Sequence, residues 1–456
     1  MGEICRSTGS GTPGIFKQVT LLPLNHNSGV LVTQLGARRH YAVANAFHSH
    51  GYLKKFCTDL LIRSESLRSL LHRTSALLGR DELRRLADRQ SGVGLPECHI
   101  RTFPIFGLQY KWYANRARSA EERTGNWLWG GRRFAELCAR ELDDATSAVY
   151  AFTSAAKETF IAARDRGVHC WLDHATAPRA FEVGLIQEEA RRFPGWSSRA
   201  VDDRMTEGYL LRQREELDLA HRIVCGSTFA KRAIEAEGVA SDRVLVVPLG
   251  VAGHLYQEYR EQVTRPDTAL RVLYVGGDGL RKGIAYLNQA LDLINDSRVE
   301  AQAAGDLELS MLARKDLQRR MKLLGPVPRS EMPELFRWAD VLVLPSISDT
   351  FGMVILEAMA AGLVVVATEN TAAPDILRDG TDGFVVPIRS PQAIAERLMM
   401  LMQDRRRLAA MGREARARAA EFTVPRYGER LIRALGLGVE FVASPKVPVD
   451  QNPVDR

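Results

Sequence analysis

A chain of 456 residues exceeds one ordinary core, and a prior of roughly 100–200 residues per domain gives two or three domains. Its 45% hydrophobic and 26% charged residues are those of a globular protein and exclude disorder for most of the length. The net charge of +7 suits an anionic partner such as nucleotide phosphates or an anionic membrane surface, whereas no long Lys/Arg tract or nucleic-acid module is present, so nucleic acid is not expected.

Residues 1–27 are rich in Gly, Ser, Thr and Pro and predict a ragged start with no apolar signal segment. Val30–Thr33 predicts a strand that ends at Gln34-Leu35-Gly36, followed by a helix over about Arg39–His50. A second strand is predicted over Phe56–Ile62, then two helical pieces between Ser64 and Arg89. Over residues 102–133 the aromatics Phe103, Phe106, Tyr110, Trp112, Tyr113, Trp127 and Trp129 are interleaved with Lys111, Arg116, Arg118, Arg132 and Arg133. Two readings fit this stretch: a membrane-water interface or lipid-linked acceptor site, and a helical lid whose arginines snorkel over the core.

Beyond it, short apolar strands at Ala148–Phe152, Cys170–Leu172, Arg222–Cys225 and Arg243–Pro248 alternate with helices at Ala155–Asp165, Pro178–Arg192, Glu207–Ala220 and Phe229–Glu237. Such alternation predicts a parallel sheet covered on both faces. Residues 253–269 are polar and aperiodic and are expected to be a linker. The pattern then restarts, with strands near Leu270–Val275, Val299–Ala303, Met321–Leu324, Asp340–Leu344, Val364–Ala367 and Phe384–Val386. This predicts a second doubly wound unit, followed by terminal helices and a disordered tail from Ala443. The expected divisions are 28–262, 263–422, a terminal helix over 423–442 that packs back toward the first unit, and a tail over 443–456. Two such units set the carboxyl ends of both sheets against one cleft, the default ligand site.

The six cysteines form no CxxC or Cys/His cluster, so neither a metal site nor a disulfide framework is expected, and a reducing cytoplasm is. The most apolar stretch, Gly352–Thr368, contains Glu357 and Gly362 and does not read as a membrane span.

The strongest pattern runs from Pro345 to Pro387. A strand ends at Pro345-Ser346, a polar turn leads to Gly352, and an apolar helix follows. The first-turn amides of such a helix, with its dipole, suit a diphosphate. Glu357 lies among Ile355, Leu356, Ala358, Met359 and Ala360, and a lone carboxylate in so apolar a helix is expected to be buried and in need of a donor such as a ribose diol. Asp349, in the turn, is either a contact for a donor sugar or a helix cap. The second pattern is Val275-Gly-Gly-Asp-Gly-Leu-Arg281-Lys282-Gly283, between a strand and a helix. Cations at a helix start oppose its dipole unless an anion lies between; a solvated turn with surface cations is the plain alternative.

These two motifs, with Val246-Val-Pro-Leu-Gly-Val251 and Gly36-Ala-Arg-Arg-His-Tyr41, resemble those of retaining GT-B glycosyltransferases of family 4, the group 1 glycosyltransferases, most closely over residues 222–400. The resemblance implies an α/β GT-B fold, two Rossmann-like doubly wound domains facing a central cleft, the first binding acceptor and the second binding a nucleotide sugar. It implies that Glu357 holds the ribose, Asp349 the donor sugar, and that the turn at Phe351, Gly352 and Met353 binds phosphate and sugar. Lys282 falls on the lysine that neutralises the diphosphate, Gly36 on the loop over the phosphates, and His174 resembles the histidine near the reacting carbon. Asp349 and Glu357 flank seven residues as the family's two glutamates do, but the first is one methylene shorter here. Gly277 stands where the family has an arginine, leaving Arg281 as its substitute.

The expected function is retaining transfer of a sugar from a nucleoside diphosphate donor to a glycan or lipid-linked acceptor, without metal or resident cofactor. The alternatives are a non-catalytic nucleotide- or sugar-binding subunit of a polysaccharide assembly system and a GT-B sugar-nucleotide epimerase. A cytoplasmic setting is expected, with peripheral contact to the inner face of the membrane as a further expectation.

Overall fold

The structure, a computed structural model, describes residues 29–37, 41–61, 66, 69–70, 73–74, 94–198, 207–252 and 269–438. The expected ragged start and tail, and nearly all of the linker over 253–269 and the helical stretch after Ser64, lie outside those residues.

Runs such as Val341-Leu-Val-Leu344 and Val364-Val-Val-Ala-Thr368 are buried at every position, as β-branched strands covered on both faces must be. They belong to one of two all-parallel sheets. The first contains β1 (Gly29–Gln34), β2 (Leu53–Thr58), β3 (Ile100–Thr102), β4 (Thr146–Phe152), β5 (His169–Asp173), β6 (Arg222–Cys225) and β7 (Val244–Val246), in the order β3-β2-β1-β4-β5-β6-β7. The second contains β8 (Leu270–Val275), β9 (Val299–Ala304), β10 (Lys322–Gly325), β11 (Val341–Leu344), β12 (Val364–Thr368) and β13 (Gly383–Val386), in the order β10-β9-β8-β11-β12-β13. The strand order reverses between β1 and β4 in one sheet and between β8 and β11 in the other, and open α/β sheets bind ligands outside the carboxyl ends of strands at such a switch.

Some expected elements move. β2 starts at Leu53 and ends at Thr58, not over Phe56–Ile62. Lys54 and Lys55 disguised its start; their ammonium groups leave the sheet to meet Asp143 and Glu141, the latter at 2.8 Å. The first helix is described over Ala42–Ser49, and Arg39 lies outside the described residues. The short β3 was not foreseen.

The aromatic-basic stretch folds as two helices, Pro104–Arg116 and Ala120–Ala139, the second opened by a capping box between Ser119 and Glu122. Their inner residues Phe106, Phe134 and Cys138 belong to the first sheet's core, while Ile105, Leu108, Trp112 and Trp127 are exposed. Among the described residues no helix is long and apolar enough to cross a membrane.

The two sheets meet by their carboxyl ends. Thr350, after β11, donates from Oγ1 to the Ala175 carbonyl after β5 (3.0 Å) and accepts at its own carbonyl from Ser227 Oγ after β6 (2.5 Å). To one side, Glu189 of the helix Arg179–Arg192 accepts from Tyr286 OH and pairs with Arg389, both at 2.6 Å. The terminal helix Val424–Ala434 crosses back to the first sheet, where Tyr427, Leu431 and Ile432 share a core with Val43, Ala46 and Phe47.

Candidate active site

The turns after β8 and β11 flank the second sheet's switch point and lock into each other. Gly283 has φ of +69°, and a β-carbon there would stand 1.9 Å from the Pro345 carbonyl oxygen, so only glycine permits the approach. Ile347 N donates to the Arg281 carbonyl at 2.9 Å.

This contact brings the expected cations beside the expected acid. Lys282 Nζ pairs with Asp349 Oδ2, and their side chains keep 14% and 11% of their exposure. Asp349 Oδ1 accepts from Gly352 N at 3.1 Å, so one carboxylate holds both the lysine and the turn. Arg281 is more deeply committed. Its Nε donates to Asp278 Oδ2 and its Nη1 to the Ser348 carbonyl, each at 2.9 Å. Glu182, from the first domain, lies 3.8 Å from that Nη1. Cations that oppose a helix dipole in the sequence are here balanced by carboxylates of the protein itself.

The helix Met353–Ala360 starts at Gly352, whose φ of +73° turns the chain, and no side chain caps it. Its first-turn amides have no intrahelical acceptor, which leaves roughly half a positive charge at that end. Glu357 corrects an expectation: it is not buried in the core. Ile355, Leu356, Ala358, Met359 and Ala360 are covered, but Met353, Val354, Glu357 and Ala361 form a partly open stripe. That spacing is one face of a helix. The Glu357 side chain is 21% exposed, and its Oε1 lies 3.6 Å from Arg329 Nη2. It therefore stands on the same face as the uncapped end, about 6 Å along the axis from Met353.

On the opposing sheet, His174 follows β5 and is fully buried. Its backbone N donates to the Val224 carbonyl (2.8 Å), and its Nδ1 lies 2.5 Å from the Thr176 carbonyl oxygen. The next residue, Ala175, receives Thr350, so His174 adjoins the joint between the sheets. Phe351 lies in the same turn, with its carbonyl accepting from Ala372 N (3.1 Å). Gly36, at φ of +80° after β1, donates its amide to Asp59 Oδ1 (3.0 Å) beside the first sheet's switch point.

Three participants escaped sequence reasoning. Glu182 and Thr350 reach across from one domain to the other, and no local pattern marks such a reach. Arg329, three residues beyond Pro326, looks like a surface cation in sequence.

Residues 256–418 match the family described as glycosyl transferases group 1. A D-inositol 3-phosphate glycosyltransferase of Nocardia farcinica is 31% identical over 193 residues, 41% of this chain and 38% of that protein. A phosphatidyl-myo-inositol mannosyltransferase of Mycobacterium leprae is 33% identical over 193 residues, 40% of this chain and 51% of that protein. The chain thus matches about half or less of the length of these two relatives. Among solved structures, HepE of Anabaena in complex with UDP covers 90% of this chain and 99% of its own, with TM-score 0.55 at 17% identity. Sucrose-phosphate synthase of Thermosynechococcus elongatus covers 90% and 98%, with TM-score 0.56 at 13% identity. Identities this low speak to fold alone, and the fold is GT-B, two Rossmann-like domains across a cleft. Residues 256–418 are thus similar to the group 1 glycosyl transferases, and the chain as a whole has the GT-B fold.

Proposed function

We propose that the protein is a retaining glycosyltransferase of family 4 that moves a sugar from a nucleoside diphosphate donor to a glycan or lipid-linked acceptor. One observation carries this reading. Lys282 and Asp349, from the two turns that flank the second sheet's switch point, converge on the uncapped start of the helix that presents Glu357 on its open stripe.

In this reading the region 263–422 holds the donor, the region 28–262 binds the acceptor, and residues 423–442 tie the second to the first. Glu357 accepts hydrogen bonds from the ribose diol. The diphosphate lies against the amides of Gly352 and Met353, with Phe351 in the same turn. As it arrives, Lys282 exchanges Asp349 for phosphate oxygens, and Asp349 turns to the hydroxyls of the donor sugar. Arg281 supplies a second positive charge from behind. The bond between the sugar's anomeric carbon and the diphosphate oxygen breaks while the acceptor oxygen bonds to the same face of that carbon. The acceptor's proton passes to a phosphate oxygen. Negative charge develops on the leaving diphosphate, and fixed positive charge aimed there is the largest catalytic contribution of this kind of site. Cations do here what a divalent metal does in other transferases. His174 positions the sugar, and Gly36 borders the phosphates. Closure of the domains excludes water and limits donor hydrolysis. The reading places the chain in the cytoplasm, with peripheral contact to the membrane where the acceptor is lipid-linked.

The test is purified protein with UDP-, GDP- and ADP-sugars in the presence of EDTA. Slow release of the nucleoside diphosphate is expected, and Glu357→Ala should abolish nucleotide binding. Nucleotide binding without turnover on any glycan or lipid-linked acceptor would instead favour a binding subunit.

A further inference from the structure

The first sheet has its own switch point, built without any recognisable motif. β4 ends at Phe152, and Ser154 then adopts φ of +76°, a left-handed conformation that a non-glycine residue keeps only when its surroundings hold it there. Fully buried Glu216 holds it there, accepting from Ser154 N (2.6 Å), Ala156 N (3.0 Å) and Thr153 Oγ1 (3.3 Å). Arg212 donates from Nε to the Ser154 carbonyl (2.9 Å) and forks onto Glu158 (2.8 and 2.7 Å). The helix Ala120–Ala139 lies so close above that a β-carbon on Gly131 would stand 2.0 Å from the Ser154 carbonyl oxygen. Between these pieces lies a cavity of about 210 Å³, walled by Leu35, Tyr110, Trp127, Phe152, Ser154 and Tyr209.

We propose that this cavity is the acceptor subsite and that it takes an uncharged, polyhydroxylated six-membered ring. The inference rests on the glycosyltransferase reading and adds the acceptor's chemical class. Size fits: a cavity of roughly 150 Å³ encloses a benzene ring, so this one holds a single substituted ring. Lining fits too. Tyr110, Trp127 and Phe152 offer aromatic surface, and Ser154 Oγ and Tyr209 OH, 2.8 Å apart, can each donate and accept. Charge favours a neutral ring: none of the described residues that wall the cavity is a cation, and Arg212, behind the Ser154 turn, is already committed to Glu158 and the Ser154 carbonyl. Position joins the ring to the donor: Thr153 N donates to the Asp173 carbonyl (3.0 Å), His174 is next in the chain, and Ala175 beyond it receives Thr350 of the donor turn. Neighbouring strands are about 4.8 Å apart, so the cavity sits one strand from His174.

Saturation-transfer NMR on the full chain tests this with methyl α-mannopyranoside, myo-inositol and inositol monophosphate, while UDP, GDP and ADP binding is titrated on the same samples. Transfer to one or both uncharged rings is expected, with less to the phosphorylated one. Trp127→Ala, at a side chain that keeps 49% of its exposure, should weaken ring binding about tenfold. Tyr209→Phe should weaken it several-fold, and both variants should bind nucleotide as the parent does. Equal ring binding in Trp127→Ala, preference for the phosphorylated ring, or no ring binding by protein that binds nucleotide would each overturn the subsite. Ring binding by protein that binds no nucleotide would leave the subsite standing and remove the donor reading instead.

Discussion

Two turns occupy matching places in the molecule, one after β4 at the first sheet's switch point and one after β11 at the second's, and a carboxylate organises each. Glu216 gathers the amides of Ser154 and Ala156, and Arg212 Nε lies 3.4 Å from its Oε1. Asp349 gathers the amide of Gly352 and the ammonium of Lys282. They differ in exposure. Glu216 is sealed and its partners are fixed, so its charge is spent on shape; Asp349 and Lys282 stay partly open to solvent, so their pairing can be exchanged for a ligand. A buried charge network rewards permanence, whereas a part-exposed pair contributes little to stability and is free to act in binding.

The contrast can be broken at either turn. Glu216→Ala should cost about 3–5 kcal/mol, because it strips acceptors from buried amides and removes a partner of Arg212. Urea denaturation reads this directly, and a loss below about 1 kcal/mol would mean the turn holds itself. Lys282→Ala should leave the urea midpoint almost unmoved and lower kcat/KM about 10²–10³-fold, the usual effect of removing one group that stabilises developing charge. A stability loss matching that of Glu216→Ala would put Lys282 among the structural charges and dissolve the distinction.

Asp349→Asn sharpens it further, with a smaller effect. The amide oxygen still accepts from Gly352 N, so the turn survives, but Lys282 loses its counter-charge. Nucleoside diphosphate should then bind a few-fold more tightly, because Lys282 no longer has to leave a carboxylate, while kcat falls. Weaker nucleotide binding, measured by calorimetry, would show that Asp349 steers Lys282 toward the phosphate and does not compete for it.

The second domain was the more legible half for a physical reason. Its site is written in contiguous residues: Arg281-Lys282-Gly283 in one turn, and Asp349 through Glu357 in another, with glycines where the backbone must turn or approach. Strand alternation gave both sheets, and the resemblance named their arrangement. The open stripe of Met353, Val354, Glu357 and Ala361 was not legible, because it depends on which neighbours cover the helix. The first domain's cavity was only half legible: the aromatic-basic stretch had an acceptor site among its readings, but nothing in it marked which residues wall the cavity. Trp127 and Tyr110 stood out only as members of an aromatic stretch, and Glu216 lies 62 residues from the Ser154 amide it holds. The one local hint was Gly130-Gly131 inside a helix, a costly pair unless something approaches closely, as Tyr110 and the Ser154 carbonyl do.

The smallest effect belongs to the far end of the first sheet, away from the cleft. His221, at the start of β6, accepts the Cys170 amide at Nδ1 (2.9 Å), and its own N donates back to the Cys170 carbonyl (2.8 Å). Burial, with Arg164, His169, Arg243 and Arg222 around it, lowers its pKa from 6.5 to about 4. Between those values the unfolded chain takes a proton that the folded chain refuses. Stability contributed by the neutral ring is therefore present above pH 6.5 and lost as pH falls toward about 4. His169 is shifted down by burial and adds in the same direction. Urea midpoints followed from neutral pH into that window should fall faster for the parent than for His221→Gln. Nucleotide affinity at neutral pH should be equal in the two, since a group at the amino ends of the strands has no path to charges at their carboxyl ends. Parallel midpoint curves would show that His221 titrates normally, and a change in nucleotide affinity would show that the two ends of the sheet are coupled after all.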